Sequence, residues 1–316
     1  MNCLALLFGI VLLIVGGNAL IASSVLLAKR WKVSPLLVGI VVLGFGTSLP
    51  ELSTSMVATL RNVPGIAIGN VLGANIANIL LVLGIAAVLR PIKISPVAFQ
   101  RDSIFLLLST IVLVAALLRT EIDGAMGALM CMTLAFYIYY SYKTDKAHVA
   151  KSVETANEAL SERTHIDTKL LLAMIASGFV IILFGAHVVV KYAILVATDL
   201  KVLEIVIGLT IVALGTSLPE LATAIVGSKK GHGDMVIGNV IGSNIYNALF
   251  ILGATAMIMP GYVSVPPTAK TDVLVMVFAT LTLLGIGFGL GRIGRKTGIA
   301  MIVCYVIYIL YLGIRP

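Results

Sequence analysis

Moved along itself by 169 positions, this chain falls on its own second half, and that internal repeat restricts the fold more than any other feature. Gly46-Thr47-Ser48-Leu49-Pro50-Glu51-Leu52 lands on Gly215-Thr216-Ser217-Leu218-Pro219-Glu220-Leu221. Gly69-Asn70-Val71 lands on Gly238-Asn239-Val240, Gly73 on Gly242, Asn75-Ile76 on Asn244-Ile245, Asn78 on Asn247 and Pro91 on Pro260. Between positions 39 and 91 about four residues in ten are identical, with no gap. Any fold must therefore build the same elements twice.

Those elements are apolar runs. Ten can be read, at about 3–28, 35–60, 66–89, 103–118, 122–142, 169–197, 203–228, 235–258, 271–290 and 297–314. Runs of roughly 20 apolar residues match the length of helix that crosses about 30 Å of hydrocarbon. Only 11% of the residues are charged and 59% are hydrophobic, whereas a water-facing surface uses about 25% charge. Lipid is therefore the solvent. The expected fold is an all-α integral membrane protein of ten transmembrane helices. Its divisions are a five-helix repeat over 1–142, a linker over 143–168 and a second five-helix repeat over 169–316. Because five is odd, the second repeat must enter the membrane upside down, an inverted-repeat layout with its site near the midplane. The first run has no basic leader and ends at Lys29-Arg30 rather than a cleavage site, so it reads as a retained helix.

The net charge of +8 would suggest nucleic acid were it not for its placement. Sixteen cations fall in one set of loops, and only Arg61, Arg119, Lys201, Lys270 and Arg315 in the other. That asymmetry predicts a multi-pass cell-membrane protein with both termini outward and the linker cytoplasmic. No nucleic-acid partner and no obligatory protein partner is indicated. Cys3, Cys131 and Cys304 lie inside apolar runs without ligand-like spacing, which argues for neither a disulfide framework nor zinc. The linker has no EF-hand pattern. No cofactor is expected.

Glu51 and Glu220 sit near the centres of their runs. An acid at mid-membrane costs about 3 kcal/mol on insertion scales and marks function by default. The bland alternative is a protonated glutamate bonding to a neighbouring helix. Thr47 and Glu51, four apart, share a helical face. Pro50 deprives the Gly46 carbonyl of its helix partner, and Pro219 does the same to Gly215. A plain kink would explain one such proline, but not two set in repeated Gly, Thr, Ser and Glu. The next run of each half supplies amides: Asn75 and Asn78, then Asn244 and Asn247 beside Ser243. Asn78 and Asn247 read as ligands, Asn70 and Asn239 as structural. Gly65, Gly69 and Gly73, like Gly238 and Gly242, have the four-residue spacing that lets membrane helices pack closely. Carboxylates, hydroxyls, amides and freed carbonyls form a hard oxygen set, and a flexible dehydrated cage of that kind suits calcium better than magnesium.

The doubled Gly-Thr-Ser-Leu-Pro-Glu, each copy followed by Gly-Asn-x-x-Gly-x-Asn-Ile, resembles the alpha repeats of the sodium/calcium exchangers in the calcium:cation antiporter superfamily. The layout resembles the short prokaryotic members along the whole chain. The resemblance implies that Glu51 and Glu220 hold transported calcium, helped by backbone oxygens of Thr47 and Thr216. It implies that Ser48, Asn78, Ser217, Ser243 and Asn247, with the same glutamates, line sodium positions. It also implies that the first and sixth helices slide across the other eight. Two positions depart from the pattern: Ala74 stands where a serine hydroxyl is common, and Asn247 where many members carry an aspartate. Both bear on sodium stoichiometry. His187 and Lys191 have no counterparts in the first half, and they read as structural and snorkelling residues respectively. The competing readings are a calcium/proton antiporter of the same fold, a cation channel and, more remotely, an intramembrane enzyme.

Overall fold

The computed structural model describes residues 2–61, 63–119, 121–155, 167–199, 213–259, 262–266 and 269–314. Most of the linker (156–166), the start of the seventh apolar run (203–212), Lys201, Arg315 and Pro260 lie outside them. The described chain is helical. In order, α1 is Asn2–Trp31, α2 Pro35–Thr47, α3 Leu49–Leu60, α4 Pro64–Leu89, α5 Pro96–Leu117 and α6 Gly124–Thr155. Then come α7 Thr168–Asp199, a helical turn Ala213–Gly215, α8 Leu218–Lys230, α9 Gly233–Ile258, α10 Ala269–Leu290 and α11 Arg295–Ile314. Among the described residues eight helices are long and apolar enough to cross a membrane, or nine when α2 and α3 count as one span bent by 41°.

Burial separates the layers. Within its most apolar stretch α9 is 94% buried and α4 78%, against 22–44% for the other uninterrupted spans, so α4 and α9 form the centre. Outward-facing Leu274, Phe278 and Leu281 of α10 and Val303 and Ile307 of α11 stay exposed. Side chains of that kind are stable only against hydrocarbon.

The central packing depends on missing side chains. A Cβ at Gly242 would stand 2.7 Å from the Ile40 backbone, and one at Gly238 would run into the carbonyl of Leu36. These two glycines let α9 lie against α2 almost backbone to backbone. Among the described residues nothing lies within 4 Å of an added Cβ at Gly69 or Gly73, their counterparts, and at Gly65 the nearest such atom is 3.8 Å away. The same shift carries Leu36 and Ile40 to Ile205 and Leu209, so the expected packing partner of this face of α4 lies outside the described residues. The two peripheral helices α1 and α7 cross in the same glycine-dependent way: a Cβ at Gly16 would lie 2.7 Å from the Ile182 amide, and one at Gly185 3.0 Å from that of Leu13.

Two short antiparallel ribbons cap the bundle. β1 (Ile92–Lys93) pairs with β4 (Arg292–Ile293), and β2 (Glu121–Asp123) with β3 (Tyr262–Ser264). The shift of 169 carries Lys93 to Tyr262 and Asp123 to Arg292, so it exchanges one ribbon for the other. At the start of α2 a buried ionic network fixes the chain. Ser34 caps the helix by accepting from the Leu37 amide, and its own amide and hydroxyl both donate to Asp145 at 2.7 Å. Arg101 spans Asp145 at 3.2 Å and Asp102 at 2.8 Å. Asp102 is 0% exposed and also receives Tyr137 at 3.3 Å. A buried carboxylate is tolerable when paired and hydrogen-bonded in this way.

Candidate functional site

The site forms where α2 gives way to α3 and, in the second repeat, where Ala213–Gly215 gives way to α8. Ser48 leaves the helix with φ −83° and ψ 6°, and Ser217 with φ −87° and ψ 7°. This sparsely used bridge conformation often accompanies functional positions. Pro50 and Pro219 follow at the second residue of each new helix, where a missing N–H costs nothing to the helix they begin but removes the partner of the carbonyl four residues back. Glu51 and Glu220 therefore fall in a first turn, the end whose dipole favours a carboxylate. Helix seven packs over both breaks: an added Cβ at Gly46 would enter the Phe179 ring, and one at Gly215 would lie 2.6 Å from Val190 Cγ2.

All the polar groups expected at the site gather here. Glu51, Thr47, Asn78, Glu220, Ser243 and Asn247 are 0% exposed, and Ser48 and Ser217 are also buried, while Thr216 is half-buried. The two carboxyls are near enough to interact electrostatically. Ser48 links the halves by donating to Glu220 Oε1 at 3.4 Å, and Ser243 reaches the same oxygen at 3.5 Å. Thr47 Oγ1 turns back to the Leu43 carbonyl at 2.9 Å and lies 3.2 Å from Asn239 Oδ1, so its side chain is engaged in structure.

Around Glu51 the picture differs. Neither carboxylate oxygen has a hydrogen-bond partner among the described residues, and the same holds for Glu220 Oε2, Ser217 Oγ, Asn247 Oδ1 and both amide atoms of Asn78. Thr216 and Ser217 stand next to the Glu51 carboxyl, short of hydrogen-bonding geometry. Ala74, itself buried, occupies the place that Ser243 holds beside Glu220. A buried polar atom left unpaired costs on the order of 1–3 kcal/mol, and an unpaired charge far more. Native interiors leave few such atoms, and five of the residues expected at the site carry them here. Carboxylate, hydroxyl and amide oxygens left unsatisfied are of the hard kind that a cation can accept as ligands.

The structure adds partners that the sequence does not disclose. Asn75 Nδ2 donates to the Asn244 carbonyl at 3.4 Å, and Asn244 Nδ2 to the Asn75 carbonyl at 3.2 Å. Asn247 Nδ2 donates to Asn75 Oδ1 at 3.0 Å, which holds the carbonyl end of Asn247 free for the site. Asn70 and Asn239 have the structural roles expected, Asn70 tying α4 to the Glu51 carbonyl and Ser55 at 3.0 Å, and Asn239 bonding Thr223 at 3.0 Å. Asn78–Val82 and Tyr246–Ile251 are π-helical. π segments favour functional positions, and these two open at or beside Asn78 and Asn247. His187 and Lys191 take no part in the site; Lys191 Nζ lies 5.7 Å from the Tyr192 ring centre.

Known proteins resemble this chain over its full length. A family model described as sodium/calcium exchanger protein matches residues 1–143 and 170–313. A putative antiporter, CaxA, of Alkalimonas amylolytica is 32% identical over 96% of this chain and 95% of its own. The sodium/calcium exchanger MaX1 of Methanosarcina acetivorans is 30% identical over 98% of each. A solved structure of the sodium-calcium exchanger NCX_Mj, soaked with 10 mM Na+ and zero Ca2+, superposes with a TM-score of 0.84 at 30% identity, covering 98% of both chains.

Proposed function

The chain belongs to the sodium/calcium exchanger protein family, and on that premise we propose that it exchanges calcium for sodium across the membrane, binding either cation between Glu51 and Glu220 and exposing it alternately to the two sides. The observation that carries this reading is the set of buried, unpartnered oxygens on Glu51, Glu220, Ser217, Asn78 and Asn247. Two ionised glutamates give the site a charge of −2. One calcium neutralises it, and so do two sodium ions, so occupancy by one cation type competes with the other. A site that is stable only when filled has a high cost for reorienting empty, which is the energetic basis of coupled exchange.

The proposed frame is ten crossings in two inverted halves, and the ribbons support it through parity. Strands that pair must lie on one side of the membrane, so an even number of crossings separates them. Between β2 and β3 lie the spans α6, α7 and α9; between β1 and β4 lie α5, α6, α7, α9 and α10. Both counts are odd, and one further crossing between Asp199 and Gly233, where α8 lies, makes both even. Each half then has five crossings and the second is inserted in the opposite sense. Helix seven and α1, joined by their glycine crossing, form the peripheral pair beside both breaks.

The test is radioactive calcium uptake into proteoliposomes loaded with sodium, set beside vesicles loaded with choline and vesicles given only a pH gradient. The expected result is uptake that requires internal sodium. Uptake driven by the proton gradient alone would replace sodium by protons as the coupling ion, and an uncoupled calcium leak would overturn the exchange reading.

A further inference from the structure

At the end of the molecule that carries β2 and β3, a cleft of about 200 Å³ opens between the C-terminal turn of α5 and the N-terminal turn of α10. Its walls include Leu117, Leu118, Val265 and Val273, and two cations, Arg119 and Lys270, line it with them. Leu118 is 76% exposed, so the cleft faces the surrounding lipid. Neither the Arg119 nor the Lys270 side chain has a hydrogen bond or an ion pair among the described residues.

The internal repeat supplies a comparison within the same molecule. The shift of 169 carries Arg101 to Lys270, Phe99 to Thr268, Leu118 to Gly287 and Arg119 to Phe288. At the β1–β4 end, the corresponding space between the start of α5 and the end of α10 is filled. The Phe99 ring occupies the place where Gly287 would carry a side chain, and it meets Phe288 edge-on at 5.6 Å. The cation there, Arg101, is neutralised by Asp102 at 2.8 Å and Asp145 at 3.2 Å. At the β2–β3 end the aromatic plug is replaced by threonine in the sequence, one ring is replaced by arginine, and the acid partners are missing, since Thr271 stands where Asp102 does and Ile314 where Asp145 does.

We propose that this cleft is a binding site for an anionic phospholipid, with an acyl chain along the Leu117–Val273 walls and the headgroup phosphate between Arg119 and Lys270. An apolar slot open to the bilayer suits a hydrocarbon chain, and two unpaired cations at the membrane boundary suit a phosphodiester and nothing neutral. A soluble anion would satisfy the cations but leave the slot without an occupant; a zwitterionic lipid would fill the slot but bring its own cation to the rim.

The test is native mass spectrometry of the delipidated full chain, titrated with dioleoyl phosphatidylglycerol and, separately, with dioleoyl phosphatidylcholine. Each cation near a surface strengthens attraction to an anionic lipid about fivefold, so the first phosphatidylglycerol should bind about 25-fold tighter than phosphatidylcholine. Arg119→Gln with Lys270→Gln should bring the two lipids level, while Lys93→Gln with Arg292→Gln, at the other end, should leave the tight adduct in place. Ala269→Phe, which fills the slot with a ring as Phe99 does at the opposite end, should weaken both lipids. Equal affinities in the unmodified protein, or a tight phosphatidylglycerol adduct that survives the Arg119 and Lys270 substitutions, would overturn the assignment.

Discussion

Glu220 has two hydroxyls near one of its oxygens, whereas Glu51 has none in hydrogen-bonding geometry, although both open a helix and both are fully buried. A cation that draws on both must be held chiefly by their charge. Coulomb attraction of unit charges at about 4 Å is worth about 4 kcal/mol at an effective dielectric near 20, so Glu51→Gln or Glu220→Gln should lower calcium uptake more than about a hundredfold. Thermal unfolding of the purified variants should show an intact fold, and unimpaired flux in both would remove these residues from the site. The missing hydroxyl at position 74 is a second test. Ala74→Ser should restore an oxygen beside Glu51 and steepen the sodium dependence of exchange, read as a higher Hill coefficient, with calcium KM little changed. The buried glutamates and asparagines and the two helix-breaking prolines were legible in the sequence because the repeat displays each twice in a setting where polarity is expensive. The mutual bonds of Asn75 and Asn244 were not, since a pattern along one chain names a residue but not what it meets across the fold.

At the level of helices, apolar runs located every described span to within a few residues where a proline, glycine or polar turn closed it. They fell short where the chemistry of the chain does not coincide with the membrane boundary. Helix α6 continues to Thr155, beyond the expected end at 142, because nothing between 143 and 155 breaks a helix: the stretch contains neither proline nor glycine. Helix α5 starts at Pro96 rather than near 103, since Arg101 and Asp102 interrupt the apolar run but neutralise one another inside the fold. The glycine spacing of the second half is the close approach of α9 to α2. Gly242→Ala should force Ile40 away from α9 and cost about 1–3 kcal/mol, as overpacking does. The unfolding temperature of this variant in detergent should fall; an unchanged value would mean that Ile40 gives way without cost.

For the molecule as a whole, the ribbons give the topology a direct assay. In a variant lacking the three native cysteines, Lys93→Cys and Arg292→Cys should react with a membrane-impermeant maleimide from the same side. Glu121→Cys and Ser264→Cys should react from the opposite one. From the excess of basic loop residues the first pair is expected on the cytoplasmic side, and labelling of all four from one side would break the proposed count of crossings. The paired bonds between Asn75 and Asn244 reach further than stability. Each asparagine serves its counterpart as that counterpart serves it, as two copies related by a twofold axis would, so a mutation at one position is felt at its image in the other half. Losing either asparagine therefore removes a bond from both repeats at once, so this seam ties the two copies of the motif into one unit.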